Sequence, residues 1–141
     1  AYFKGLSKEG GLLGISGVSP DMRDIEQAMG EGNERAQLAF DCFVEACRHY
    51  IGAYLAVLGG ADAIVFTGGI GQHGTVFREM VCANLGYAGI VLDPEKNNVA
   101  GGSEESRIEA DDSRTAIWVL PTNEEVIVAR QTYEVLSTVN A

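Results

Sequence analysis

The residues best placed to do chemistry are glycines. Thr67-Gly68-Gly69-Ile70-Gly71-Gln72-His73-Gly74 follows the short apolar run Ala63-Ile64-Val65-Phe66. The run is rich in β-branched and aromatic side chains and reads as a buried strand. A helix is predicted from Thr75 to Leu85. A strand, a glycine turn and a helix start form a place where backbone N–H groups can face an anion. Glycines suit it because a Cβ would hold a ligand's phosphates away from the main chain. The stretch also fits G-x-G-x-x-G from Gly69 to Gly74, with Asp93 after the next apolar piece, so a Rossmann-type NAD-binding domain is one reading. A turn without a ligand is another. No Gly-Lys-Ser/Thr follows, so it is not a Walker loop.

Two further segments stand out, and the dinucleotide reading leaves both unexplained. They are Ser16-Gly17-Val18-Ser19-Pro20-Asp21-Met22-Arg23-Asp24 and Leu120-Pro121-Thr122-Asn123-Glu124-Glu125. In the first, Ser19 is the expected N-cap and Pro20 the first helical residue. In the second, Glu124 opens the last helix, where a carboxylate suits the positive helix end.

The elements that would position these residues alternate between strand and helix. Leu12 to Gly17 is expected to be extended or a tight loop. A helix follows to Gly30 or Gly32. The longest helix begins at Asn33 or Glu34 and carries Phe40, Val44, Cys47, Ile51, Tyr54 and Leu58 at three- and four-residue steps. Gly59-Gly60 stops it. Ile90-Val91-Leu92 and Ala116-Ile117-Trp118-Val119-Leu120 read as strands, and residues 97–114 as mostly loop. The last helix has Val126, Ala129, Tyr133 and Leu136 on one face. The pattern implies an α/β fold with parallel strands flanked by helices.

Composition limits the partners. The 141 residues fit one domain. Ten basic and 20 acidic residues give a net charge of −10, which disfavours nucleic acid as a partner. No apolar run is long enough to span a bilayer, so no membrane partner is expected. The opening Ala1-Tyr2-Phe3-Lys4-Gly5 lacks a signal-peptide core. Three cysteines without Cys-x-x-Cys spacing suggest reduced thiols and a cytoplasmic setting. Cys42 and Cys47 are expected to be buried, and neither His49 nor His73 has metal-ligand spacing.

Taken together, Gly14–Asp24, Phe66–Gly71 and Pro121–Glu125 resemble three signature segments of the acetate kinases, in that family's order. The resemblance implies the actin-like, sugar-kinase-like (ribonuclease H-like) ATPase fold. It also implies Mg2+-dependent phosphoryl transfer between ATP and acetate, giving ADP and acetyl phosphate. By the same resemblance Asp21, Met22 and Arg23 line an adenosine pocket. Gly68, Gly69, Ile70, Gly71 and Gln72 approach the phosphates and ribose, and Glu124 is the Mg2+ residue. The family usually has Glu-Asn where this chain has Gln72-His73.

Only the C-terminal part of the family pattern is matched. Residues 1–141 therefore read as its nucleotide-binding part, without the N-terminal domain or the start of the C-terminal one. No residue matches the family's catalytic groups, so none is assigned as catalytic. The whole protein is expected to be a homodimer acting on acetate or another short-chain acyl group. A non-catalytic, kinase-derived interaction domain is a third reading.

Overall fold

The computed structural model describes Phe3, Gly5 and residues 8–139, except for the side chains of Glu124 and Val139. Its elements are α1 (Gly11–Ser16), α2 (Met22–Gly30), α3 (Glu34–Leu58), β1 (Ala63–Phe66), α4 (Gly68–His73) and α5 (Thr75–Cys82). A 3-10 turn (Gly86–Ala88), α6 (Pro94–Val99), β2 (Ser106–Arg107), β3 (Ala116–Val119) and α7 (Glu124–Val139) complete them. The fold is α/β: a small mixed sheet, in the order β1-β3-β2, flanked by helices. β1 runs parallel to β3, with Ala63 opposite Ala116 and Phe66 opposite Val119. β2 is antiparallel to β3, a departure from the all-parallel expectation.

The core lies between the sheet and the helices. Ile117 and Val119 of β3 point into it, with Ile25 of α2, Phe40 of α3 and Val81 of α5. On α2 the buried residues Met22, Ile25 and Ala28 recur every third position, so one face of the helix is covered.

The long helix has the expected limits. Asn33 accepts from the N–H groups of Arg35 and Ala36, and Gly59 ends the helix at φ 73°, which a side chain would resist. Its apolar stripe divides. Phe40 and Val44 are buried, whereas Tyr54 is 63% and Leu58 71% exposed. Arg48 of the same helix turns inward and donates to the carbonyls of Met80 and Val81 at the end of α5. A basic side chain suits the carbonyl-rich end of a helix, although Met80 O also accepts from Ala83 N.

Several local expectations are corrected. Leu12–Gly17 is mostly helix, not extended. Ile15 O, at the end of α1, accepts from Arg35 Nε at 2.9 Å, so a tertiary contact offsets the low helix propensity of its glycines. Asp21, not Ser19, caps α2, because its carboxylate accepts from Arg23 N. Ser19 supports it instead, accepting from Asp21 N and donating to Asp24.

The helix from Thr75 stops at Cys82, just before Asn84 enters the left-handed region at φ 60°. Ile90–Leu92 does not form a full strand, since only Leu92 bridges, to Glu109. The expected loop from residue 97 opens with the end of α6, capped by Asp93, and includes β2. On α7 every described side chain is exposed. Among the described residues, no helix is long and apolar enough to cross a membrane.

All three cysteines are free; Cys42 is exposed, against expectation, Cys47 half-buried and Cys82 buried. Burial pushes the Cys82 thiol up to about 12 from 9.0. The folded state therefore keeps a proton that the unfolded chain releases above pH 9, and this contribution to stability is intact below that pH. Stability is expected to fall by about 1.4 kcal/mol per pH unit between 9 and 12 through this one group. Urea unfolding of Cys82→Ala should show a flatter loss across that window than the wild type. Equal slopes would contradict the assignment.

Candidate functional site

The parallel pair β1 and β3 sends both C-terminal ends to one edge of the sheet, where ligands of open α/β sheets generally bind. The two ends are tied together. Leu120 N donates to Phe66 O, and Thr67 Oγ1 donates to Leu120 O, each at 2.9 Å. The glycine segment and Pro121–Glu125 thereby become neighbours, and α2 closes the other side.

Two cavities result. The first, of about 640 Å³, is lined by Asp21, Met22, Arg23 and Glu26 from α2 and its cap, and by Gly69, Ile70, His73 and Gly74 opposite. The second, of about 740 Å³, is lined by Gly68, Gly69, Gln72 and His73 on one side. Pro121, Thr122, Asn123, Glu125 and Ser103 form its other side. Gly69 and His73 belong to both cavities and form the partition between them.

In the first cavity Arg23 is held as a bidentate ion pair. Its Nε and Nη2 donate to the Asp21 carboxylate at 3.0 and 2.6 Å. Hydrogen bonding from Arg23 holds the Asp21 carboxyl down at about 2, so the pair stays charged at any ordinary pH. An exposed pair adds little stability. Its effect is to fix the plane of the guanidinium at the cavity mouth, where it can stack on an aromatic ring. Met22 and Ile70 supply apolar surface. Glu26 faces the same space, and partial burial raises its carboxyl pKa.

The glycine segment differs from a simple turn, because Gly68–His73 is itself a six-residue helix. Gly68 has φ 68°, which accounts for glycine there. Gly69 has nothing within 4 Å of where a Cβ would stand, so the cavity side is open. Gly71 is glycine for a different reason. It is buried, and a Cβ would lie 3.3 Å from the Phe66 carbonyl carbon, so packing against the strand explains it rather than ligand approach.

Behind the segment lies Arg78, which is fully buried. Its Nη1 donates to Gly71 O at 3.1 Å and Gln72 O at 2.6 Å. Its Nε donates to Asn97 Oδ1 at 2.7 Å, and Nη2 to Asn97 O at 2.9 Å. Burial lowers the Arg78 pKa. None of the described ion pairs includes it, so carbonyl dipoles satisfy the charge.

Asp21, Met22, Arg23, Gly69 and Ile70 thus share the first cavity, and Gly68, Gly69 and Gln72 the second. The side chain of Glu124 lies outside the described residues, although its neighbours Asn123 and Glu125 line the second cavity. Among the described residues no three His, Cys, Asp or Glu side chains gather as metal ligands. The oxygen donors of Thr122, Asn123 and Glu125 are of the hard type that suits Mg2+. Asp93, which a dinucleotide reading would place on a ribose, caps α6 instead, accepting from Glu95 N and Lys96 N.

Sequence reasoning passed over Glu26, Ser103, Arg78 and Asn97. Glu26 was findable, since it lies one helical turn from Met22. Arg78 and Asn97 gave no signal, being polar residues far apart in the chain.

The model of the Acetokinase family matches residues 3–130. The chain belongs to the acetokinase family. It is 52% identical over 131 residues to an acetate kinase of Dictyoglomus turgidum, covering 93% of this chain and 32% of that one. An acetate kinase of Clostridium novyi is 48% identical over 135 residues, covering 96% and 33%. The chain thus spans about a third of the length of these curated relatives.

Among solved structures, Porphyromonas gingivalis acetate kinase superposes with a TM-score of 0.84 at 41% identity, over 95% of this chain and 33% of that one. A propionate kinase of Francisella tularensis gives 0.78 at 34% identity, over 91% and 32%. The α/β architecture is therefore the one these acetokinase structures have over the matched third of their length. The acetokinase relatives act on acetate or, in one case, propionate, by their names.

Proposed function

We propose that this chain forms the nucleotide side of an acetate kinase cleft and holds ATP or ADP for Mg2+-dependent phosphoryl transfer with acetate or another short-chain carboxylate. One observation carries the reading: three segments far apart in sequence converge on two cavities that share Gly69 and His73. In this reading Arg23 stacks on the adenine, with Met22 and Ile70 packing against the ring. Gly68, Gly69 and the main chain at Gln72 face the ribose and phosphates. Thr122, Asn123, Glu125 and Glu124 offer oxygens to Mg2+, which neutralises charge on the transferring phosphoryl group.

No residue of this chain is assigned to the chemical step. Residues 1–141 alone are expected to make no acetyl phosphate. A cytoplasmic homodimer remains part of the same proposal, and exposed Tyr50, Tyr54 and Leu58 offer apolar surface for such a contact.

The test is a titration with Mg-ATP, following backbone amide shifts. Shifts should move at Gly68–Gly71, and Arg23→Ala should weaken binding by roughly tenfold, since one stacking contact of this kind gives up to about 2 kcal/mol. Unmoved shifts at the glycine segment would remove the reading.

A further inference from the structure

The second cavity has a wall that no family signature supplies. The segment Gly101-Gly102-Ser103 crosses from the end of α6, and Ser103 lines the same cavity as Gly68, Gln72 and Asn123. It is held there by one side chain. Gln72 Nε2 donates to Gly102 O at 2.8 Å and to Gly101 O at 3.4 Å. Main chain meets main chain at the same point. A Cβ on Gly101 would stand 2.5 Å from Gln72 O, and Gly101 has φ 114°. Gln72 O is itself gripped from behind by Arg78 Nη1 at 2.6 Å. A continuous line therefore runs from the buried guanidinium, through Gln72, to the outer wall.

The chemistry of position 72 is specific. Two carbonyl oxygens need a donor with two hydrogens, and a carboxamide NH2 has them. A carboxylate of the same length has none at neutral pH and would face two carbonyl dipoles with its own charge. Ser103 is exposed on this wall, and its hydroxyl makes no hydrogen bond to the described residues. It can donate one and accept others.

We propose that Gln72 is a positioning residue that straps Gly101–Gly102 against the second cavity and so presents the Ser103 hydroxyl to the ribose-phosphate oxygens of the bound nucleotide. This rests on the nucleotide reading above and deepens it. Ser103 makes the ligand contact. Gln72 acts through it.

A double-mutant cycle on the intact gene product tests this. Mg-ATP dissociation constants are measured for the wild type, Gln72→Met, Ser103→Ala and the double variant, with amide hydrogen exchange at Gly101–Ser103 in the ligand-free proteins. Methionine keeps the length and removes the donor without adding charge. Each single change should weaken Mg-ATP by about tenfold, the effect of losing one hydrogen bond to a charged acceptor. The double variant should be no weaker than either single one, because both remove one contact. Exchange at Gly101–Ser103 should quicken in Gln72→Met and stay as in the wild type in Ser103→Ala.

Independent effects that multiply would overturn the proposal, as would unchanged affinity in Ser103→Ala or unchanged exchange in Gln72→Met. A wild type that does not bind Mg-ATP would overturn the nucleotide reading and this proposal with it. That failure is distinguishable because it shows before any substitution is made.

Discussion

Replacing Arg78 with methionine is expected to destabilise the folded chain by about 3–5 kcal/mol. Two effects oppose each other. Removing a fully buried guanidinium relieves the cost of keeping that charge out of water. It also strands the oxygens the side chain served: Gly71 O, Gln72 O, Asn97 O and Asn97 Oδ1. Each buried acceptor left without a donor costs about 1–3 kcal/mol, so four of them outweigh the relief even if water reaches one or two. Lysine at the same position keeps the charge but not the planar fork, and should lose less than methionine. Urea unfolding of the three proteins checks the order. A methionine variant within about 1 kcal/mol of wild type would show that those carbonyls are satisfied by some other route.

The long helix should give the sharpest contrast between two aromatic truncations on one sequence stripe. Phe40→Ala is expected to cost about 3–5 kcal/mol, because the ring is 1% exposed and its removal leaves a cavity between α2, α3 and the sheet. Tyr54→Ala, fourteen residues on and equally apolar by pattern, should change stability of this chain by no more than about 0.5 kcal/mol. For a chain of this size the first corresponds to a fall in Tm of roughly 10 °C or more. Measuring both on residues 1–141 decides it. Comparable losses would mean that Tyr54 is covered in solution.

That stripe shows what the sequence could and could not disclose. Three- and four-residue spacing from Phe40 to Leu58 announced a helix and its caps, because Asn33 and Gly59 have one obvious use each. It could not say where the covering layer ends. The buried line runs from Phe40 and Val44 to half-buried Ile51 and Leu55, leaving Tyr54 and Leu58 outside. The strands Ala63–Phe66 and Ala116–Val119 were legible from their β-branched runs, whereas β2 is two residues long and polar. The helix Gly11–Ser16 was illegible because it depends on Arg35, twenty residues away, for the Ile15 carbonyl in its last turn.

The site divides in the same way. Segments carrying Arg23, Gly69 and Asn123 could be picked out because their residue types are unusual for plain helix or strand. Their meeting follows from the family resemblance and from parallel strand ends, not from any local pattern. Arg78 and Asn97 act through geometry alone, and either one read by itself is an ordinary surface residue type.

The hydroxyl of Thr67 reaches a carbonyl 53 residues later in the chain. Pairing so distant is slow to find, since a long loop must close before any contact rewards it. The helices α1, α2 and α3 need only near neighbours and can gather first. During synthesis, then, the partition at Gly69 would have its α2 side early and its opposite side only after Val119 has docked beside Phe66. Competence to hold a ligand would be among the last properties the growing polypeptide acquires.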